Sequence, residues 1–152
     1  MNLDRKEARI VDFLFAKQTS KDALLVELKT PCTKLLGRKY RAVYSQSSEL
    51  SGAVTQVLDY RRQLANSLSS IKTEKDKDLS YFSPRCLLLI GTLQTELRDE
   101  EKRKSFETFR SGLKDIEILT FDELFQKITV LASLFNLVQG TDSANKSEAA
   151  PT

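Results

Sequence analysis

The chain has 152 residues, 40 % hydrophobic and 30 % charged, which is the size of one globular domain and excludes a fibrous or low-complexity sequence. Its 24 basic and 21 acidic residues leave a formal charge of +3, which admits a polyanionic partner without demanding one. Histidine is absent and the two cysteines, Cys32 and Cys86, have no metal-site spacing. That excludes the common zinc sites and any histidine base, and fits a reducing compartment. No signal peptide or long apolar run is present, so the expected location is cytoplasmic, with no membrane partner.

Arg9–Phe15 and Leu24–Lys29 read as the two strands of a β-hairpin, joined by the polar segment Lys17–Asp22. Side chains alternate faces along a strand. With the turn centred on Thr19-Ser20, Phe13 pairs with Val26, Phe15 with Leu24 and Val11 with Leu28. One face is then wholly apolar, and such a pattern fixes register. The other face carries Asp12 opposite Glu27, with Lys29 beside them. Two carboxylates roughly 5 Å apart at Cβ repel each other. A divalent cation reverses the sign of that interaction.

Thr30–Arg41 contains Pro31 and Gly37 and reads as a loop carrying Lys34, Arg38, Lys39 and Arg41. It is either a solvated basic loop or a phosphate-contacting one. Ser47 or Ser48 can cap a helix beginning near Glu49. Leu50, Ala53, Val54, Val57, Leu58, Leu64, Ala65 and Leu68 form its apolar stripe, flanked by Gln56 and Tyr60 four residues apart. Lys72–Asp78 is a charged linker, and Arg85–Gly91 reads as a buried strand. Glu96–Ser111 reads as a polar helix with Phe106 and Phe109 inward, stopped at Gly112. Asp115–Leu119 is a further strand. Thr120–Glu123 is a capping box, followed by an amphipathic helix with Leu124, Phe125, Ile128, Leu131, Leu134, Phe135 and Val138. Phe121 and Phe125 read as core. Residues 1–138 make one domain and 139–152 a disordered polar tail. The order β-β-α-β-α-β-α predicts an α/β fold, a mixed sheet flanked by helices.

An acid facing an acid, beside an amine, suits phosphodiester hydrolysis. Magnesium neutralises charge at phosphorus and lowers the pKa of bound water. It takes oxygen ligands, usually one or two carboxylates, and keeps waters for the rest. Asp12 and Glu27 fit that role, with the Leu28 carbonyl in reach; manganese is the alternative ion. Lys29 points to the same side, placed to orient the water or stabilise developing negative charge.

Asp12 followed by Glu27-Leu28-Lys29 resembles the D…(D/E)-X-K core of the PD-(D/E)XK nuclease superfamily. Gln56-Val-Leu-Asp-Tyr60 resembles the Q-x-x-x-Y element of its RecB-like branch. More specifically, Val11–Leu14, Leu25–Pro31, Gln56–Arg61, Leu87–Gly91 and Ile118–Leu124 together resemble the nuclease domain of Shedu anti-phage defence proteins, from about Arg9 to about Val138. The resemblance implies a restriction-endonuclease-like sheet, magnesium at Asp12 and Glu27, and Lys29 serving the attacking water. It places Gln56 over the site and makes Tyr60 either a support for the site or a contact to the nucleic acid. DNA is the implied substrate, bacterial defence the role, and a homo-oligomer the assembly. That superfamily's core usually begins with a glutamate-bearing helix and a first strand, which this chain lacks before Asp12. Glu7 is a candidate substitute, and a fragment of a longer protein, or a domain without those elements, is expected. Two rivals stay open: a catalytically silent nucleic-acid-binding or assembly module on the same scaffold, and an unrelated α/β protein with a fortuitous D…ExK.

Overall fold

The computed structural model describes residues 11–16, 23–70 and 84–144. In chain order its elements are β1 (Phe13–Ala16), β2 (Ala23–Leu28), β3 (Leu36–Tyr40), β4 (Val43–Gln46), α1 (Ser48–Ser70), β5 (Arg85–Leu89), α2 (Leu93–Glu96), α3 (Glu100–Ser111), β6 (Ile116–Leu119) and α4 (Phe121–Ala144). Glu7, the Lys17–Asp22 turn, the Lys72–Asp78 linker and residues 145–152 lie outside the described residues. α4 continues six residues into the stretch read as a polar tail, to Ala144.

The main sheet has the order β1-β2-β5-β6. β1 and β2 are antiparallel, with Phe13 opposite Val26 and Phe15 opposite Leu24. That is the register read from the alternation of apolar residues. β2 pairs parallel with β5, and β5 parallel with β6. Parallel neighbours need crossovers, and both crossovers here step the same way across the sheet. Their helices therefore fall on one face. The core beneath them combines Leu25, Cys86, Leu88, Ile116 and Ile118 from alternate strand positions with Leu50, Ala53, Val54 and Val57 of α1 and Phe106 of α3.

The face bearing Leu25 and Glu27 is the one under the helices. On the wholly apolar face Val26 is buried, but Phe13 is 50 % exposed, Phe15 58 % and Leu28 39 %, and the two phenyl rings stack at 6.1 Å.

The basic loop is corrected. Leu36–Gln46 is a two-stranded ribbon, β3–β4, separate from the main sheet. Gly37 is a strand glycine and not a loop residue: a Cβ there would lie 2.9 Å from both the Gln46 carbonyl oxygen and Ser45 Oγ. Glu96 anchors the ribbon's base, its carboxylate accepting from the Leu35 and Leu36 N–H groups at 2.7 Å each. The helix expected from Glu96 begins later, at Glu100, and Glu96 instead ends the short α2. Asp99 caps α3 by accepting from the Glu101 N–H at 2.8 Å, and Leu97 in the break is fully buried.

Two caps follow the sequence closely. Ser47 Oγ accepts from the Leu50 N–H at 2.9 Å and donates to the Lys34 carbonyl at 2.6 Å. Glu123 reaches back to the Thr120 N–H at 3.0 Å, which is the carboxylate half of a capping box. Beyond Leu124, α4 leaves the core, and Phe125, Ile128, Leu131, Leu134 and Phe135 are all at least half exposed. Phe125 is therefore not a core residue.

Candidate active site

Glu27 stands near the end of β2, and alternation with Leu25 turns it under α1. Its residue exposure is 4 %. Oε1 accepts from Lys29 Nζ at 2.8 Å, whereas Oε2 is buried without a hydrogen-bond partner. A buried acceptor left bare costs about 1–3 kcal/mol, more when it is charged.

Lys29 follows the strand directly. Its N–H donates to the Leu89 carbonyl at 2.8 Å, which carries the β2–β5 pairing one residue further. Two residues from Glu27, its side chain shares the same face. Nζ also donates to Gln56 Oε1 at 3.3 Å. Gln56 and Tyr60 are one helical turn apart on α1, and Gln56 Nε2 donates to the Tyr60 hydroxyl at 2.6 Å. The amide is thereby oriented from both ends. Glu27, Lys29, Gln56 and Tyr60 form one hydrogen-bonded chain running from strand to helix.

Asp12 joins this assembly differently. It precedes β1, is exposed, and its Oδ2 accepts from the Leu28 N–H at 2.7 Å. It thus meets β2 through the backbone, one residue past Glu27. Tyr60 is 7 % exposed with its hydroxyl on Gln56, so it backs the cluster. Lys34, Arg38, Lys39 and Arg41 lie outside the chain of contacts, on the ribbon and at its base. Lys39 is paired with Glu101 of α3, and that hydrogen bond raises its pKa. The ribbon also carries two aromatic residues on opposite faces, Tyr40 paired with Val43 and Tyr44 with Lys39. Their sequence signal is β-favouring residues on both sides of the short Arg41-Ala42 turn.

No group of three or more histidine, cysteine or acidic side chains suited to a metal occurs among the described residues. Magnesium needs no such cage, since one or two carboxylates plus water suffice. The bare Glu27 Oε2, with the Asp12 carboxylate held on the N–H of the next residue, is the oxygen-donor chemistry a hard cation takes. A cleft of about 840 Å³ opens elsewhere, lined among others by Arg61, Arg85, Arg110, Asp115 and Glu123. Two of its arginines are paired with acids: Arg61 with Asp115 at 3.2 Å, and Arg110 with Glu107 and Glu123 at 2.7 and 2.8 Å. No described helix is long and apolar enough to cross a membrane.

Comparison with known proteins finds a match to the family described as Shedu protein SduA, C-terminal, over residues 2–125. The Shedu protein SduA of Bacillus cereus (strain B4264) is 41 % identical over 133 residues, which is 83 % of this chain and 35 % of that protein. The chain thus spans about a third of the length of that relative. Asp12, Glu27, Lys29, Gln56 and Tyr60 all lie inside the matched family region, and α4 beyond Phe125 lies outside it.

Proposed function

This chain belongs to the Shedu SduA C-terminal family, and from that premise we propose that it is a magnesium-dependent DNA endonuclease domain serving bacterial anti-phage defence in the cytoplasm. The observation that carries this is the buried, partnerless Oε2 of Glu27 beside an ammonium that is itself held by Gln56. In this reading the four-stranded sheet with α1 over Glu27 is the restriction-endonuclease-like core. Asp12, Glu27 and the Leu28 carbonyl would hold magnesium, or manganese in its place. When bound, the ion supplies charge neutralisation at phosphorus and a more acidic water.

The chain's own residues do the positioning. An ammonium has three N–H donors, and Lys29 gives two of them to Glu27 and Gln56. The third is left for the attacking water or a phosphate oxygen. Tyr60 takes the Gln56 Nε2 donor, which leaves Oε1 facing Lys29 and stops the amide from flipping. Plasmid and linear DNA incubated with magnesium, and with chelator, test the proposal on this chain and on the longer protein. Lys29→Ala should abolish cleavage while the fold persists. Absence of magnesium-dependent cleavage by the unaltered proteins would sink it.

The occupation of Asp12 Oδ2 by a backbone N–H favours a second reading, a catalytically silent DNA-binding module. It requires DNA binding that survives Glu27→Ala and no cleavage with any divalent ion.

Self-association goes with the first reading. Phe125, Ile128, Leu131, Leu134 and Phe135 follow helical spacing on one stripe of α4 and are each 50 % or more exposed. At about 100 Å² each, the stripe offers roughly 500 Å² of apolar surface, close to the upper size seen on monomers. A homo-oligomer would cover it. Phe135→Glu with Leu131→Glu should then lower the molar mass measured by light scattering.

A further inference from the structure

Between Thr30 and Ser48 the chain carries Lys34, Arg38, Lys39 and Arg41 and no acidic residue. These residues build the β3–β4 ribbon and its base, and both ends of the segment run into the candidate site. Thr30 follows Lys29, and Ser48 opens α1, which bears Gln56 and Tyr60. One ribbon face is committed to α3. Lys39 pairs with Glu101, the Tyr44 N–H donates to Ser105 Oγ at 3.0 Å, and the Lys39 and Lys102 ammonium groups each lie 5.5 Å from the centre of the Tyr44 ring.

The opposite face is open. Tyr40 is 65 % exposed and Val43 54 %, and Arg38 and Ser45 are exposed beside them. Arg41 makes the turn with φ 56°, the single positive φ among described non-glycine residues. Hairpin turns normally give that conformation to glycine, asparagine or aspartate, because a Cβ is strained there. An arginine in this place costs stability and sets a cation at the far end of the ribbon. Its guanidinium lies over the Tyr40 ring, 5.4 Å from the ring centre, a contact that preorganises both groups. Strain of this kind tends to collect where function needs it.

We propose that the β3–β4 ribbon is a DNA-reading finger that enters the major groove of a B-form duplex. Lys34 and Arg38 contact phosphates, and the Tyr40–Arg41 tip reaches base edges. It rests on the nuclease reading only for the choice of duplex DNA as the substrate. A two-stranded β-ribbon fits a major groove about 12 Å wide. The guanidinium fork matches the O6 and N7 acceptors of guanine, whereas phosphate contacts set register. The deep, narrow major groove of A-form RNA excludes such a ribbon.

The test is fluorescence anisotropy of the full chain with labelled DNA and RNA duplexes of one sequence, in chelator so that nothing is cut. The unaltered chain should prefer DNA over RNA by about tenfold or more. Arg41→Gly should weaken DNA binding about tenfold and shrink that preference. The same substitution should raise the unfolding temperature, because glycine accepts the turn without strain. Tyr40→Ala should weaken binding in the same direction, and Arg38→Ala should reduce the salt slope by about 1. Lys104→Ala, the loss of an exposed charge on α3, should change affinity by less than about twofold, the control for bulk charge. Equal binding of both duplexes, or unaltered DNA affinity in Arg41→Gly and Tyr40→Ala, overturns the finger. Magnesium-dependent cleavage is scored separately. Cleavage with ribbon-independent binding removes the finger and keeps the nuclease. Ribbon-dependent binding without cleavage keeps the finger and removes the nuclease. A chain that binds no duplex at low salt overturns both.

Discussion

Replacing Lys29 by methionine keeps the apolar stem and removes the only cation bonded to Glu27 among the described residues. The pair is 2.8 Å long, with side-chain exposures of 31 % for lysine and 5 % for glutamate. Exposed pairs contribute about 0–1 kcal/mol, and stripping one partner from a buried pair costs about 3–5 kcal/mol. With the lysine one-third exposed, the cost for Lys29→Met should be about 2 kcal/mol. In a domain of this size that corresponds to a fall of about 6 °C in Tm. Glu27→Gln removes the charge itself and should cost about 1 kcal/mol. Adding Lys29→Met to Glu27→Gln should then cost little more, so the double-mutant cycle shows a coupling of about 2 kcal/mol. Magnesium separates this buried pair from a metal site. At ten times its Kd it should stabilise the unaltered chain and Lys29→Met by about 1.4 kcal/mol, and Glu27→Gln hardly at all. Urea unfolding with and without magnesium measures every term. Additive substitutions would refute the buried pair, and stabilisation that persists in Glu27→Gln would refute Glu27 as a ligand.

The two thiols should differ sharply. Burial pushes the Cys86 thiol up to about 11, while Cys32 is exposed. A thiol reagent near neutral pH should therefore modify one cysteine quickly and the second only on unfolding. Acid should loosen the junction of α3, β6 and α4. Burial pushes the Glu123 carboxyl up, but the Arg110 guanidinium and the Thr120 N–H and hydroxyl outweigh it and hold the carboxyl below its ordinary value. That contribution is full above the unfolded value of about 4.3 and is lost as pH falls through the folded one. Glu123→Gln should flatten the loss of stability between about pH 5 and pH 3 seen in denaturant titrations. Gly91→Ala should cost about 2–4 kcal/mol in the same assay. Gly91 has φ +62°, and a Cβ there would lie 2.7 Å from Leu35 Cδ2 and 2.8 Å from the Thr33 carbonyl oxygen.

Local pattern carried the four strands of the main sheet, the helix caps and the hairpin register, because each depends on alternation or on one side chain beside one N–H. Phe13 against Val26 is legible since a slip of one residue would invert every side chain. Which face the sheet buries is not local. Two crossovers of one hand put α1 and α3 on the Leu25 side of the sheet, and no feature of the hairpin encodes that. The ribbon was hidden because Pro31, Gly37 and four cations look like a loop, although Gly37 is there for the close approach of Gln46 and Ser45. In the site, the Gln56–Tyr60 contact follows from helical spacing, whereas Lys29 and Gln56 meet across 27 residues of sequence. Only the family pattern joined those two in advance.

The placement of unsatisfied chemistry argues that the site is functional. Glu96 spends both oxygens on the Leu35 and Leu36 N–H groups. Asp122 accepts from the Leu93 and Gln94 N–H groups at 2.9 and 3.1 Å. Glu123 serves Arg110 and Thr120. These three structural carboxylates are thus satisfied, each within an element junction it holds together. Glu27 departs from this habit in the most buried position of the four, with one oxygen on a lysine and the other bare. Stability alone would favour leucine or a bonded glutamine there, since a well-packed apolar residue often matches or exceeds a buried ion pair. Glu27→Leu with Lys29→Met should accordingly equal or exceed the unaltered chain in stability while cleaving no DNA. If that pair of substitutions unfolds the domain, the carboxylate is structural and the case for a site at Glu27 fails.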